Sequence, residues 1–271
     1  MTFNLLIRTG LGTAVALVSL SAAHSQDGSF YQIERRALDS IIYVEASQCP
    51  DGQPRSGTGF VFSRPGQIIT AHHVVGGCSA IFVTYPQNTP RTQRRFPVAI
   101  GRIYASGDLA MLEVGSPPAA STLKDAPPPP DKTKVHAGLG FQNGMLSAEA
   151  LDVTFSPSSE TRLSAFLPPE AQGELSRSKS LIDTNRQVLR FNRALEPGMS
   201  GGPIINQTGE VVGIVAGGLK AGTVPASWGW PAEWIANLLT SQEPRNTPVS
   251  GSHLYERAKL RKPARFGHYY F

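Results

Sequence analysis

The residues with the richest chemistry stand in Gly198-Met199-Ser200-Gly201-Gly202-Pro203, a serine set among glycines. Glycines let a chain turn tightly and aim amide N–H groups at one point, where they can hold the oxyanion of an amide under attack. A serine hydroxyl is a weak nucleophile at neutral pH, so a histidine must take its proton and a carboxylate must orient that histidine. Both types lie upstream. Histidines occur in Ile69-Thr70-Ala71-His72-His73-Val74-Val75, and a carboxylate in Ser106-Gly107-Asp108-Leu109-Ala110-Met111-Leu112. Together they would perform nucleophilic hydrolysis.

Other readings of the same residues are weaker. Adjacent histidines suggest a metal, but zinc draws ligands from spaced positions and no cysteine or acid cluster completes a set, so neither metal nor cofactor is expected. Alone, Asp108 is a turn residue satisfying backbone amides, and Ser200 a polar residue in a glycine turn. Gly-x-Ser-x-Gly is also the nucleophile elbow of the α/β-hydrolases. That fold requires an acid and then a histidine after the serine, whereas no Asp follows Ser200 and the later histidines, His253 and His268, lie in the tail. Pro203, Ile204-Ile205 and VVGIVA also announce strands where that fold needs a helix.

Positioning these groups falls to a β-rich chain. Its 271 residues are 40% hydrophobic and 17% charged, enough apolar content for a sizeable core in one domain or two intimately packed ones, which excludes wholesale disorder. The 27 Gly and 22 Pro favour many short strands and exclude a helix bundle. Between 41 and 114 six runs read as strands: IIYVEA, GTGFVFS, QIIT, AIFVTY, PVAIGRIYA and LAMLEV. Residues 116–131, SPPAASTLKDAPPPPD, carry six prolines and should form an exposed, extended connector. About six more strands follow in VHAGLGF, MLSAEALDVTF, RLSAFL, QVLRFNRAL, PIIN, EVVGIVAGG and the stretch 226–230. A Ser-, Pro-, Glu- and Lys-rich segment, 156–186, should be surface loop, and PAEWIANLLT, 231–240, one amphipathic helix.

Residues 1–25 have the pattern of a secretory signal: Arg8, then an uncharged run from Leu11 to Ala23, then Ala23-His24-Ser25 before a cut at Gln26. An exported protein, periplasmic or secreted and without a membrane span after cleavage, is expected. The cut leaves 24 basic against 20 acidic side chains, a net charge of +4 that is no nucleic-acid footprint. Much of the excess lies in the tail, 241–271, expected to be basic and flexible. Cys49 and Cys78 are the only cysteines, and export favours their pairing over two buried thiols.

With GTGFVF before the histidine and GGPIIN then VVGIVAGG after the serine, residues 40–240 resemble the trypsin-like serine peptidases, most closely the bacterial HtrA-like branch. The order His, Asp, Ser matches, at spacings of 35 and 92 residues. The resemblance implies an all-β, chymotrypsin-like fold of two six-stranded barrels with a C-terminal helix. Barrel one would span about 40–115, the linker 116–132, and barrel two with the helix 133–240. It implies His73 as general base, since the family's pattern is Thr-Ala-x-His, with Asp108 orienting it, Ser200 as nucleophile, and the amides of Gly198 and Ser200 as oxyanion hole. Cys49 and Cys78 flank the histidine strand as the family's disulfide does. The implied partner is a protein or peptide substrate.

Departures from the pattern carry information too. Met199 stands where trypsin has an aspartate and the HtrA-like branch commonly an asparagine, so trypsin-style zymogen activation is not expected and the means of ordering the oxyanion hole is open. Ala194, Val215, Ala216 and Gly218 fall at the implied substrate pocket and offer no charge, which suits small or apolar uncharged side chains. Ala216 replaces a serine that often supports the catalytic aspartate. About 30 residues follow the helix, too few for the PDZ domain usual in that branch. These departures keep a second reading in view, a secreted binding scaffold on the same fold without turnover.

Overall fold

The structure, a computed structural model, describes residues 32, 35, 37–85, 95–126, 136–142, 144–151, 153–154, 162–166, 184–191, 195–220, 226–247 and 268–270. The signal segment, most of 156–186, Ala194 and residues 248–267 of the tail lie outside them.

The first half folds as β1 (Ile41–Ser47), β2 (Arg55–Val61), β3 (Gln67–Ala71), a single-turn helix α1 (His72–Val75), β4 (Ala80–Thr84), β5 (Arg95–Pro97), β6 (Ala99–Tyr104) and β7 (Leu109–Glu113). All pairings are antiparallel, in the order β5-β4-β1-β2-β3-β7-β6. The run PVAIGRIYA is broken at Val98: β5 pairs β4, Val98 N–H donates to Ile81 O, and β6 pairs β7. One bent ribbon therefore touches both ends of the sheet and closes it into a barrel of six lanes. Alternation along these strands sends Ile42, Val44, Val61, Ile68, Val83 and Leu112 into one buried cluster.

The second half repeats the device. It comprises β8 (His136–Gln142), β9 (Met145–Leu151), β10 (Val153–Thr154), a short helix α2 (Leu163–Phe166), β11 (Leu189–Phe191), β12 (Pro203–Ile205), β13 (Val211–Lys220) and β14 (Ala226–Pro231). The order is β10-β11-β14-β13-β12-β8-β9, and the run MLSAEALDVTF supplies both ends, β9 on β8 and β10 on β11. The fold is thus all-β and chymotrypsin-like, as the resemblance implies. RLSAFL, read as a strand, is instead the helical turn α2, because a short apolar run has no decisive period of its own.

Contacts between the halves are extensive. The connector is not merely extended in solvent: Leu123 N–H donates to Val61 O and Ser63 N–H to Leu123 O, while Ala126 N–H donates to Val211 O and Val211 N–H to Lys124 O. Leu123 and Ala126 are buried there, one against each barrel. The helix α3 (Trp234–Thr240) leaves barrel two and packs on β6 and β7 of barrel one, with Trp234 stacked on Trp230 at 4.8 Å between ring centroids. Beyond it, residues 241–247 lie along barrel one, and a last strand β15 (His268–Tyr270) pairs with β13.

Candidate active site

The aspartate of the site is delivered by local backbone geometry. After β6 the chain makes a 3-10 turn, Ala105–Gly107, and Asp108 caps it in the left-handed region (φ 52°, ψ 39°) before β7 begins. Aspartate tolerates that region better than most side chains. The turn holds Asp108 beside the start of α1, where its main-chain carbonyl accepts from His72 N–H at 2.9 Å. Its side chain spends both oxygens on one residue: Oδ1 accepts His73 N–H at 2.8 Å, and Oδ2 meets His73 Nδ1 at 2.7 Å. A carboxylate can only accept, so Nδ1 carries a proton, and in the neutral imidazole Nε2 then presents its lone pair. Nε2 is buried and makes no hydrogen bond among the described residues, Ser200 Oγ included.

Two further contacts brace the histidine from outside the predicted set. Arg55 donates through Nη1 to His73 O at 3.1 Å and Gly76 O at 3.3 Å, and its Nη2 is paired with Asp51 at 2.7 Å. Burial pushes the Asp51 carboxyl up, but the Arg55 hydrogen bond and charge, with the Gln53 N–H, outweigh it and hold it below the usual carboxylate range. The other brace is the segment after α3. Glu243 Oε2 accepts from Ala105 N–H at 2.8 Å, Arg102 donates to Ser241 O at 3.0 Å, and His72 Nε2 contacts Thr247 O at 3.1 Å. A carbonyl only accepts, so His72 is an Nε2–H tautomer; burial pushes its pKa down despite the nearby Asp108 charge. The structure thereby separates the adjacent histidines, with His73 on the carboxylate and His72 fastening the strap. The Cys49–Cys78 disulfide closes the chain around β2, β3 and α1.

Ser200 is half-buried in the turn before β12. Gly201 N–H donates to Val215 O at 2.8 Å and Val215 N–H to Gly202 O at 2.8 Å, which moors the turn to β13. Gly201 has φ +85°, and a Cβ there would lie 2.3 Å from Thr58 O and 2.5 Å from Ala71 N, so only glycine fits. That approach seats the turn against Ala71, two residues before His73. Met199 is fully buried with Val215, Leu195, Phe191, Leu189 and Ile204 in the core of barrel two, and Gln142 Nε2 contacts its sulfur at 3.3 Å. An apolar residue before the serine is therefore a core residue here.

What ties this turn to the other barrel is Thr58, a residue of the GTGFVF run to which the sequence alone assigns no role. It is fully buried. Its N–H donates to Ser200 O at 2.9 Å, its hydroxyl donates to Gly198 O at 2.7 Å and accepts Phe141 N–H at 2.9 Å, and its carbonyl accepts the Thr70 hydroxyl at 2.7 Å. A hydroxyl residue between two glycines was the available signal: a Cβ at Gly57 would come within 3.0 Å of Ser200 O.

Of the implied pocket residues, Ala194 lies outside the described residues. Val215 and Ala216 are each 2% exposed, so both face packed interior, Ala216 in the same cluster as Trp228. Gly218 lies across β13 from Ser227 on one side and from Tyr270 on the other. Among the described residues, no group of three or more His, Cys, Asp or Glu could hold a metal, and no helix is long and apolar enough to cross a membrane.

Comparisons with known proteins agree with this geometry. The family described as "Trypsin-like peptidase domain" matches residues 57–214. The magnetosome formation protease MamE of Paramagnetospirillum magneticum is 30% identical over 217 residues, covering 69% of this chain and 26% of that protein. A mitochondrial serine protease HTRA2 of Drosophila virilis is 24% identical over 240 residues, 86% of this chain and 52% of that one. The chain thus spans about a quarter to a half of the length of these relatives. Among solved structures, the active form of the Rv3671c protease from M. tuberculosis superposes with a TM-score of 0.59 at 20% identity, covering 93% of this chain and all of that one.

Proposed function

The chain belongs to the trypsin-like peptidase family, in its HtrA branch, and on that premise we propose that it is an exported serine endopeptidase working through His73, Asp108 and Ser200. The observation that carries the reading is the two-point grip of Asp108 on His73, which fixes ring orientation and tautomer together. Nε2, left with its lone pair, takes the Ser200 proton as Oγ attacks a peptide carbonyl. Asp108 stabilises the imidazolium, and the N–H groups of Gly198 and Ser200 receive the oxyanion. Collapse expels the amine, which takes the proton from His73. A water, deprotonated by His73 in turn, releases the acyl group from Ser200. The unmet Nε2 fits an enzyme without substrate, in which such contacts are often long.

Cleavage after small or apolar side chains follows from the family resemblance, which puts the uncharged Ala194, Val215, Ala216 and Gly218 at the substrate pocket, and not from the packing, in which Val215 and Ala216 are buried. The Cys49–Cys78 disulfide supports an oxidising compartment, in keeping with export. The test is a library of peptides varied on the acyl side of the cut, incubated with the purified chain and with His73→Ala. Cleavage after small or apolar residues, lost in the variant, is expected. Cleavage equal in both proteins would mean a contaminant, and no cleavage of any peptide would favour the binding scaffold.

A further inference from the structure

The two edges of β13 are used differently. Along one, β14 pairs from Gly213 to Leu219 with a single bulge at Ala216. Along the other, β12 covers Val211 to Ile214, and the glycine turn behind Ser200 continues that lane through its bonds with Val215. Ala216 and Gly217 come next, and then β15 takes the lane up again: Gly218 faces Tyr270, Leu219 faces Tyr269 and Lys220 faces His268. Because β15 and β12 are both antiparallel to β13, β15 runs along the lane toward Ser200. Three positions separate Gly218 from Val215, about 10 Å of strand. A peptide lying where β15 lies would deliver a carbonyl to the serine two or three residues further on.

We propose that His268–Tyr270, paired on the outer end of β13 where an extended substrate would lie, is an intramolecular competitor of substrate. The proposal rests on the serine-peptidase reading of Ser200. Recognition runs through backbone hydrogen bonds, so the competing ligand class is any extended peptide segment, with little demand on its side chains. While β15 is paired, the groups of Gly218 to Lys220 on this edge are spent and an incoming peptide cannot use them. A tethered segment acts at an effective concentration of order mM, so substrate binding weakens by the fraction of molecules in which the edge is open. Saturating substrate wins the edge back. The signature is a raised KM at unchanged kcat.

Neighbouring residues of a strand turn their N–H groups to opposite edges, so Tyr269→Pro/Tyr270→Pro in the full chain removes one N–H from the β13 side whichever residue supplies it. A Tyr269→Val control keeps the backbone donors. For a peptide substrate the double-proline variant is expected to show KM lower by about fivefold or more, given millimolar tethering, with kcat unchanged. Tyr269→Val should match the parent, and a synthetic peptide of residues 264–271 added to the proline variant should raise KM again. Equal KM in parent and proline variant would overturn the proposal, as would a change confined to kcat, which marks a structural role. Labelling by a fluorophosphonate, too small to need the lane, separates the two ideas. Equal labelling with equal KM removes the competitor and leaves the peptidase standing, whereas no labelling in either protein overturns both.

Discussion

The barrels contribute to the site in opposite ways. Barrel one holds the catalytic pair itself, with residues 241–247 reaching only its neighbours Arg102, Ala105 and His72: Asp108 and His73 lie at the ends of adjacent strands, both carboxylate oxygens go to one residue, and Arg55 braces the histidine from β2. Barrel two does not hold its serine alone. Its serine turn is moored to β13 by Gly201 and Gly202, while the carbonyls of Gly198 and Ser200 are held by Thr58 of the opposite barrel. The proton-handling half is therefore a local construction and the nucleophile half an interfacial one. Damage to the first should strike chemistry alone, and damage to the second should couple chemistry to how the barrels dock.

The largest effect belongs to Asp108→Asn. Asparagine keeps the shape and tolerates φ 52°, but no longer demands a proton on Nδ1. The expected loss is about 10⁴-fold in kcat, with the melting temperature close to that of the parent. A large fall in melting temperature would show that the pair is structural and would erase the contrast. Next comes Thr58→Val, which keeps volume but strands Gly198 O and Phe141 N–H, at about 1–3 kcal/mol for each buried group left unsatisfied. If that cost falls on the serine turn, kcat should drop roughly 10- to 100-fold, with recovery in Thr58→Ser. A variant with normal kcat would mean that barrel two orders its own turn.

Loss of the disulfide should be felt in stability. Cys49→Ser/Cys78→Ser is expected to lose about 2–4 kcal/mol in denaturant unfolding. Smallest is the effect of His72. Its folded pKa is depressed, so the unfolded chain binds a proton first. Stability should be level above about pH 6.5, the unfolded imidazole value, and decline as pH falls below it. His72→Gln should flatten that decline, and an unchanged pH profile would deny His72 its role in fastening residues 241–247.

Features repeated along the chain were legible in sequence. Short β-rich runs set between turn residues marked β1 to β4 and β7 closely, β1 alternating buried with half-buried residues and β2, β3 and β7 buried along most of their length. The chemistry-bearing types at His73 and Asp108 were visible because the pair is built by local turns. What escaped notice depends on contacts distant in the chain. The break at Val98 follows from barrel closure, and Thr58 matters only because Gly198, 140 residues away, folds against it. In α2, the run LSAF is too short to declare a period. The basic tail contains β15, whose partner is a sheet edge that no sequence pattern within the tail discloses.

The most direct test is fluorophosphonate labelling of the purified chain, read by intact mass beside Ser200→Ala and His73→Ala. One adduct per molecule on the parent, absent from both variants, is the outcome required if Ser200 is a nucleophile activated by His73. A folded parent with its disulfide intact that takes no label near neutral pH, or a His73→Ala variant that labels as fast as the parent, would contradict it.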